Sequence, residues 1–241
     1  MLEYYQIYDH EYKFVNDIEF IESLMRSGAS LEVGCGSGRV LEYLLNKNKY
    51  SLFGFDIDED AMTLAANKFS KYNIDLTVDN AVSFSHPRKY QNILFLFNGL
   101  MHLGCEKMQL SFLKNSYDHL IGDGSLLLYV SNPDINRMSE KFPYYKYQKT
   151  LEIDGIIVDK FECNKYDLDN QFLHRIFNYD YVNQEGLLQR LTSRFTVRYL
   201  YKSEIERLLN IAGFKKIEIY GNFDGSQWAS DSPHIIIHAT K

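Results

Sequence analysis

The sequence is poor in features that mark several protein classes. Only three of its 241 residues are cysteine, Cys35, Cys105 and Cys163, and none are in CxxC spacing. So few cysteines, without CxxC spacing, favour a reducing cytoplasm and argue against both a disulfide framework and a zinc site. No stretch of about 18 uninterrupted apolar residues occurs, so no membrane helix is predicted. The opening "MLEYYQIYDHEY" is acidic and aromatic, unlike a signal or transit peptide.

Basic charge is also scarce. The 26 Lys and Arg are outnumbered by 32 Asp and Glu, which gives a net charge of −6, and no Lys/Arg-rich run occurs. Nucleic-acid-binding proteins usually carry a basic footprint. We therefore expect a small-molecule partner and neither nucleic acid nor membrane, with a homodimer left open. The histidines show no ligand-like clustering, so no metal site is expected.

Proline is rare, with four residues, whereas tyrosine and phenylalanine number 19 and 16. Short apolar runs alternate with helical patterns in the first half, which predicts a doubly wound parallel sheet. The continuously apolar run "NILFLF" is typical of a strand that is covered on both faces. The remaining strands predicted for this sheet lie in "SLEV", "SLFGFDID", "NIDLTV", "GDGSLLLYVS", "FKKIEIY" and "HIIIHAT".

The pattern changes after Pro133. Three long β-rich stretches, "GIIVDKFECNKYD", "NQFLHRIFNYDYVNQ" and "GLLQRLTSRFTVRYLY", predict an antiparallel meander. Ser203 and Glu206 have capping-box spacing, which predicts a helix start at Ser203, and Gly213 ends this helix. We expect one domain over 1–241, with a helical N-terminal arm over 1–27, a core over 28–133 and 200–241, and a β-rich insertion over 134–199.

The motif "LEVGCGSGR" carries Gly34, Gly36 and Gly38 between a strand and a helix. A P-loop would need a lysine after the last glycine, and Arg39 stands there. The spacing G-x-G-x-G also departs from the dinucleotide pattern G-x-G-x-x-G, which weakens a nicotinamide reading without excluding it. Asp56 ends the next strand about twenty residues on, where a carboxylate accepts both ribose hydroxyls. Together these residues indicate an adenosine ligand, and the glycine spacing favours one without a pyrophosphate.

At this point the chain resembles the class I S-adenosyl-L-methionine (SAM) dependent methyltransferases. The resemblance rests on "LEVGCGSGR", "GFDID" with "AMTLAANKF", "VDNAVSF", "FLFNGLMHL" and "EIERLLNIAGFKKIEIYG", in the family's order. Within that family the chain looks most like the small-molecule group of glycine and amino-sugar N-methyltransferases. The resemblance implies a Rossmann-like α/β fold with a mostly parallel, doubly wound seven-stranded sheet and an antiparallel β-rich insertion.

The resemblance also implies roles for individual residues. Glu32 would help hold the SAM ammonium, Asp56 the ribose diol, and Asp79 the adenine amino group. The residues implied around the cofactor are Tyr12, Glu32, Gly34, Cys35, Gly36, Gly38, Asp56, Ile57, Asp79, Asn80, Ala81, Phe97 and Asn98. His102 and Tyr8 are the candidates for catalysis, His102 as a base where one is needed.

The β-rich insertion is the candidate substrate cap, because its aromatic residues are placed to cover the ligand edge of the sheet. Tyr145 and Arg198 are its candidate substrate residues; the same aromatics would equally pack the meander or a dimer contact. The family analogy favours a small-molecule acceptor, an amine before a hydroxyl or carbon. The alternatives are a nicotinamide-dependent oxidoreductase and a SAM-binding protein without catalysis.

Overall fold

A computed structural model describes residues 2–139 and 143–241. It consists of two compact units. The core unit comprises Phe14–Asn132 and Leu200–Lys241, and the meander unit comprises Met1–Lys13 and Pro133–Tyr199. The division of the chain into a cofactor core and a substrate cap stays a prediction.

The core unit is built on a seven-stranded sheet. Its strand order is β10-β11-β5-β4-β1-β2-β3, and every neighbouring pair is parallel except the two pairs that involve β11. The strands are β1 Gly28–Val33, β2 Tyr50–Asp56, β3 Asp75–Val78, β4 Tyr90–Phe95, β5 Leu120–Ser131, β10 Lys216–Tyr220 and β11 His234–Thr240. The predicted mostly parallel, doubly wound α/β fold is confirmed.

The helices of this unit are α2 Asn16–Leu24, α3 Arg39–Leu45, α4 Glu59–Lys68, a 3₁₀ helix at Gly99–Leu103, α5 Glu106–His119 and α7 Lys202–Ala212. Those between β1 and β2, between β2 and β3, and between β4 and β5 form crossover connections between parallel strands. Asp58 caps α4, accepting hydrogen bonds from the backbone N–H groups of Asp60 and Ala61. The middle of β5, from Leu126 to Val130, is buried throughout because helices cover both faces of the sheet.

The predicted start of α7 is wrong. Tyr201 is the N-cap, with no side-chain capping bond, and Ser203 lies inside the first turn. Glu206 bonds Lys202 Nζ at 2.8 Å, so its side chain forms an i,i+4 ion pair. Gly213 ends the helix in a left-handed conformation, as predicted.

The meander unit is an antiparallel sheet of four strands in the order β6-β7-β8-β9. The strands are β6 Lys146–Ile153, β7 Ile156–Asp167, β8 Phe172–Val182 and β9 Leu188–Arg198. Helix α1, Tyr4–Glu11, and the short α6, Ile135–Met138, belong to the same unit. The predicted antiparallel insertion is confirmed, but three strands were predicted where four are found.

Within the described ranges, no helix combines the length and the hydropathy needed to cross a membrane.

Candidate active site

The loop between β1 and α3 is a turn that glycine makes possible. Gly34, Gly36 and Gly38 have φ values of +66°, +54° and +87°, in the left-handed region that side chains disfavour. A Cβ added at Gly38 would collide with the Phe69 ring, whereas one added at Gly36 would meet nothing within 4 Å. The backbone at Gly36 therefore borders open space at the carboxyl edge of the sheet, where ligands of open α/β sheets bind.

Asp56 is tied to this turn. One carboxylate oxygen accepts the Gly36 backbone N–H at 2.9 Å, and the other accepts that of Asp58 at 3.0 Å. These bonds orient the carboxylate and leave lone pairs on both oxygens for a ligand, since each carboxylate oxygen accepts more than one bond. The neighbouring Ile57 side chain is 69% exposed, which leaves an apolar surface beside the carboxylate.

Glu32 lies in β1, beneath the glycine turn, and is buried. Among the described residues its Oε2 has no hydrogen-bond partner. Burial raises the pKa of Glu32 well above its usual range, and the nearby Asp56 carboxylate raises it further. The Arg39 guanidinium lowers this pKa but does not cancel the effect of burial. A buried carboxyl with an unpaired oxygen is costly unless a polar group reaches it.

A buried ion pair adjoins this carboxyl. Asp17 of α2 is fully buried and takes two hydrogen bonds from Arg39, at 3.0 and 2.6 Å. The Tyr129 hydroxyl donates a third at 2.8 Å. The Arg39 guanidinium also lies over the Phe97 ring, 5.5 Å from its centroid. The motif residue after the glycines thus joins α2 to the turn after β4, and Tyr129 of β5 binds the same carboxylate, a long-range role that the sequence did not indicate.

The loop after β3 is held against Asp56. The Asp79 backbone N–H donates to the Asp56 carbonyl oxygen at 3.0 Å, which brings these two predicted ligand residues together. Asn80 caps the following turn, where its side-chain oxygen accepts the Val82 N–H at 2.9 Å. Asn80 is exposed, and Ala81 is half-buried. The predicted adenine edge therefore lies beside the predicted ribose carboxylate.

Two consecutive non-glycine residues follow β4 in left-handed conformations, Phe97 with φ +54° and Asn98 with φ +68°. Such conformations are uncommon outside glycine and persist where the surroundings hold them. The Asn98 side-chain oxygen accepts the Ser131 N–H at 2.6 Å, which anchors the turn to β5. His102 lies next along the chain in the 3₁₀ helix, where its side chain is exposed.

Cys35 packs in the core. Its thiol lies 3.6 Å from the Met62 sulfur, and burial raises its pKa. In the glycine turn its backbone N–H donates to the Phe55 carbonyl oxygen at 3.0 Å, and its thiol donates weakly to the Gly36 carbonyl oxygen at 3.8 Å.

The remaining predicted residues lie in the meander unit. Tyr8 is in α1, and its ring centroid is 4.7 Å from that of Tyr12 at the end of this helix. Tyr145 precedes β6 and is half exposed. Arg198 ends β9 and is buried, and its guanidinium donates to the Gln171 side-chain oxygen at 3.0 Å.

The meander unit also holds a polar cluster that the sequence did not predict. The buried Glu11 carboxylate accepts hydrogen bonds from Lys160 Nζ at 2.8 Å and the Tyr179 hydroxyl at 3.0 Å, and lies 2.9 Å from Lys149 Nζ. Burial would raise the pKa of Glu11, but the two ammonium groups lower it below its usual value. Pairing between residues so distant in sequence leaves no local signal.

Across 2–139 and 143–241, no group of three or more His, Cys, Asp or Glu side chains is placed to hold a metal ion. That the protein uses no metal stays a prediction.

Residues 31–124 match the sequence model of a family described as methyltransferase domain. No curated protein sequence matches the chain.

Solved structures share its fold. The CcbJ methyltransferase from Streptomyces caelestis is 19% identical, with a TM-score of 0.76 over 93% of this chain and 87% of its own. SAM-bound CalS10, an amino pentose methyltransferase from Micromonospora echinaspora, is 15% identical, with a TM-score of 0.75 over 100% and 98%. The sugar N-methyltransferase KedS8 from Streptoalloteichus is 13% identical, with a TM-score of 0.75 over 100% and 94%.

Proposed function

Because residues 31–124 form a methyltransferase domain on a class I methyltransferase fold, we propose that this chain transfers the methyl group of SAM to an amino group of a small molecule. The match to a methyltransferase domain identifies the protein as an enzyme and confirms its resemblance to the class I SAM-dependent methyltransferases. The cofactor assignment rests on the Asp56 carboxylate, which accepts a hydrogen bond from the Gly36 N–H beside the open space at the glycine turn.

The residues present fit this cofactor. The unpaired oxygen of buried Glu32 suits the ammonium of the methionyl part, and the free lone pairs of Asp56 suit the ribose diol. Exposed Ile57 offers an apolar surface to the adenine, and Asp79 offers an acceptor to its amino group. The glycine spacing G-x-G-x-G departs from the dinucleotide pattern G-x-G-x-x-G, which is why we favour SAM over a dinucleotide.

SAM supplies an activated methyl group with a good leaving group. The protein then has to orient the acceptor and exclude water, since orientation supplies roughly 7–11 kcal/mol, against about 10²–10⁴ in rate from a general base. A neutral amine needs no base in the transfer itself. We assign His102 and Tyr8 to the acceptor, with His102 as the base where the amine arrives protonated.

The amine assignment rests on analogy with the amino pentose and sugar N-methyltransferases that share the fold. We further propose that the meander unit binds the acceptor, with Tyr145 and Arg198 among its contacts. A homodimer and a cytoplasmic location remain part of the proposal.

Thermal unfolding tests the cofactor. SAM and S-adenosyl-L-homocysteine (SAH) should raise the melting temperature, because a ligand that binds only the folded state stabilises it by mass action. NAD and ATP should leave it unchanged. Equal stabilisation by NAD would favour the nicotinamide-dependent oxidoreductase instead.

Turnover tests the activity. Incubation with SAM and a panel of amino sugars and small amines should yield SAH and a methylated amine, detected by mass spectrometry. A matched panel of the corresponding hydroxyl compounds tests the acceptor atom. Tight SAH binding with no turnover on either panel would favour the binding protein without catalysis.

A further inference from the structure

A chain of polar side chains lies behind Asp79 in the core unit. His86 Nε2 is 3.6 Å from Asp79 Oδ2, and His86 Nδ1 is 2.6 Å from the Tyr90 hydroxyl. The other carboxylate oxygen of Asp79 accepts the Asn80 N–H at 2.7 Å. Each oxygen of Asp79 thus faces a nitrogen of the protein, and the proposed function so far gives His86 and Tyr90 no role.

The chain is anchored at its far end. Tyr90 in β4 is 1% exposed, and burial raises its pKa to about 12, so its hydroxyl remains a donor. The His86 backbone N–H donates to His119 Nε2 at 3.1 Å, and His119 Nδ1 lies 2.9 Å from the Asn115 carbonyl oxygen. His119 therefore carries its proton on Nδ1, which bonds within α5, and its Nε2 holds the His86 segment against that helix.

These contacts select one tautomer of His86. A proton on Nε2 faces the Asp79 carboxylate, whereas a lone pair there would be repelled by it. Nδ1 then accepts from the Tyr90 hydroxyl. Burial lowers the pKa of His86 by more than the nearby Asp79 carboxylate raises it. The neutral ring is therefore favoured. Tyr90 thus donates to His86, whose Nε2–H faces the Asp79 carboxylate at 3.6 Å, an electrostatic contact that a small shift of the carboxylate would shorten to a hydrogen bond.

We propose that His86 is a positioning residue, which orients the Asp79 carboxylate so that it accepts the exocyclic amino group of adenine. This inference rests on the proposed SAM site. A carboxylate held in this way is matched to an amino group and not to the carbonyl oxygen of a 6-oxopurine, so the relay from Tyr90 through His86 to Asp79 determines specificity for the base.

The test compares two ligands by calorimetry: SAH, and S-inosylhomocysteine, in which oxygen replaces the amino group. The unaltered protein should prefer SAH. His86→Phe retains a ring among Phe55, Phe84 and Tyr90 but removes the donor, and should reduce that preference about 3–10-fold. His86→Gln keeps an N–H donor and should recover most of it. Tyr90→Phe removes one hydroxyl and should change the preference in the same direction, by about 2–3-fold.

His238→Phe is the matched control. His238 lies in the same unit, pairs with Glu218 at 2.9 Å, and is 14% exposed, against 18% for His86. It lies in the second half of β11, whose antiparallel course takes it away from the ligand edge. Its replacement should lower the melting temperature without changing the preference between the two ligands.

A merely structural His86 would give a different result. Replacing His86 would then weaken the binding of both ligands equally. The losses of SAH affinity caused by His86→Phe and Asp79→Ala would also be additive in the double variant. Either result overturns the inference. The inference is also overturned if the unaltered protein binds SAH and S-inosylhomocysteine with equal affinity. That result would leave the proposed SAM site standing. An unaltered protein that binds no SAH overturns the proposed function and the inference with it.

Discussion

The Asp56 carboxylate holds the glycine turn and, as we propose, the cofactor ribose. Asp56→Ala should weaken SAH binding at least tenfold, because each hydrogen bond to a charged group is worth about 1.5–3 kcal/mol and a decade in affinity about 1.4 kcal/mol. Calorimetry provides the measurement. Asp60→Ala, an exposed carboxylate one turn away in α4, is the control and should bind as the unaltered protein does. An unchanged dissociation constant in Asp56→Ala would show that the ribose binds elsewhere.

Glu32 links the cofactor to pH. Burial raises its pKa in the folded protein, so the stability that it contributes is fully present below its unfolded pKa and is lost as pH rises through the higher folded value. Glu32→Gln removes that loss. The melting temperature of the variant minus that of the unaltered protein should therefore increase as pH rises from the ordinary carboxyl value of 4.5 towards the raised folded value.

The same carboxyl should couple SAM binding to proton release. The SAM ammonium favours the ionised form of Glu32, so affinity should rise with pH in the unaltered protein and stay weaker and flat in Glu32→Gln. Calorimetry in buffers of different ionisation enthalpy measures the released proton. Parallel pH profiles for the two proteins would contradict this role.

At the scale of elements, Asp17 and Arg39 join α2 to the start of α3. Arg39→Met leaves the fully buried Asp17 carboxylate without its cation, and should lower the free energy of unfolding by about 3–5 kcal/mol in urea. Arg26→Met is the control, since both members of the Arg26–Asp123 pair are more than half exposed, and it should cost less than about 1 kcal/mol. Equal costs would mean that water reaches Asp17.

The elements differ in how far the sequence reveals them. The core strands and the Asp58 cap were predictable, because apolar runs and an N-cap are local signals. Strand β6 was missed because most of its residues are polar and at least partly exposed, so it shows no apolar run. The start of α7 was misplaced because a serine and a glutamate three residues apart match a capping box even inside a helix.

The candidate site divides in the same way. The sequence could place Gly36 and Asp56 at one edge because parallel strands end together. It could not show the unpaired oxygen of Glu32, the Asp17–Arg39 pair or the lysines around Glu11, since burial and long-range pairing leave no trace in spacing.

At the scale of the whole molecule, the core unit contains all seven strands of the larger sheet. A variant in which a short Gly/Ser linker replaces residues 134–199 should therefore fold and bind SAH. It should lose turnover of the acceptor, because we propose that the meander unit orients that molecule. Circular dichroism, calorimetry and the turnover assay check the three statements.

Full turnover by this shortened chain would refute the acceptor role of the meander unit. Asp56→Ala in the same background controls for specific cofactor binding. An insoluble product would favour the reading in which the aromatic residues of the insertion serve packing or an interface.

The position of β11 between β5 and β10 has a consequence during protein synthesis. Ser131 at the end of β5 pairs with His234, in a strand that is synthesised only after the whole meander. Until then β5, whose middle residues are all buried in the finished sheet, is an open edge. The meander can form first, since its strands pair with sequence neighbours. A nascent chain that stalls before β11 thus exposes an apolar edge, the kind of surface that chaperones shield from aggregation.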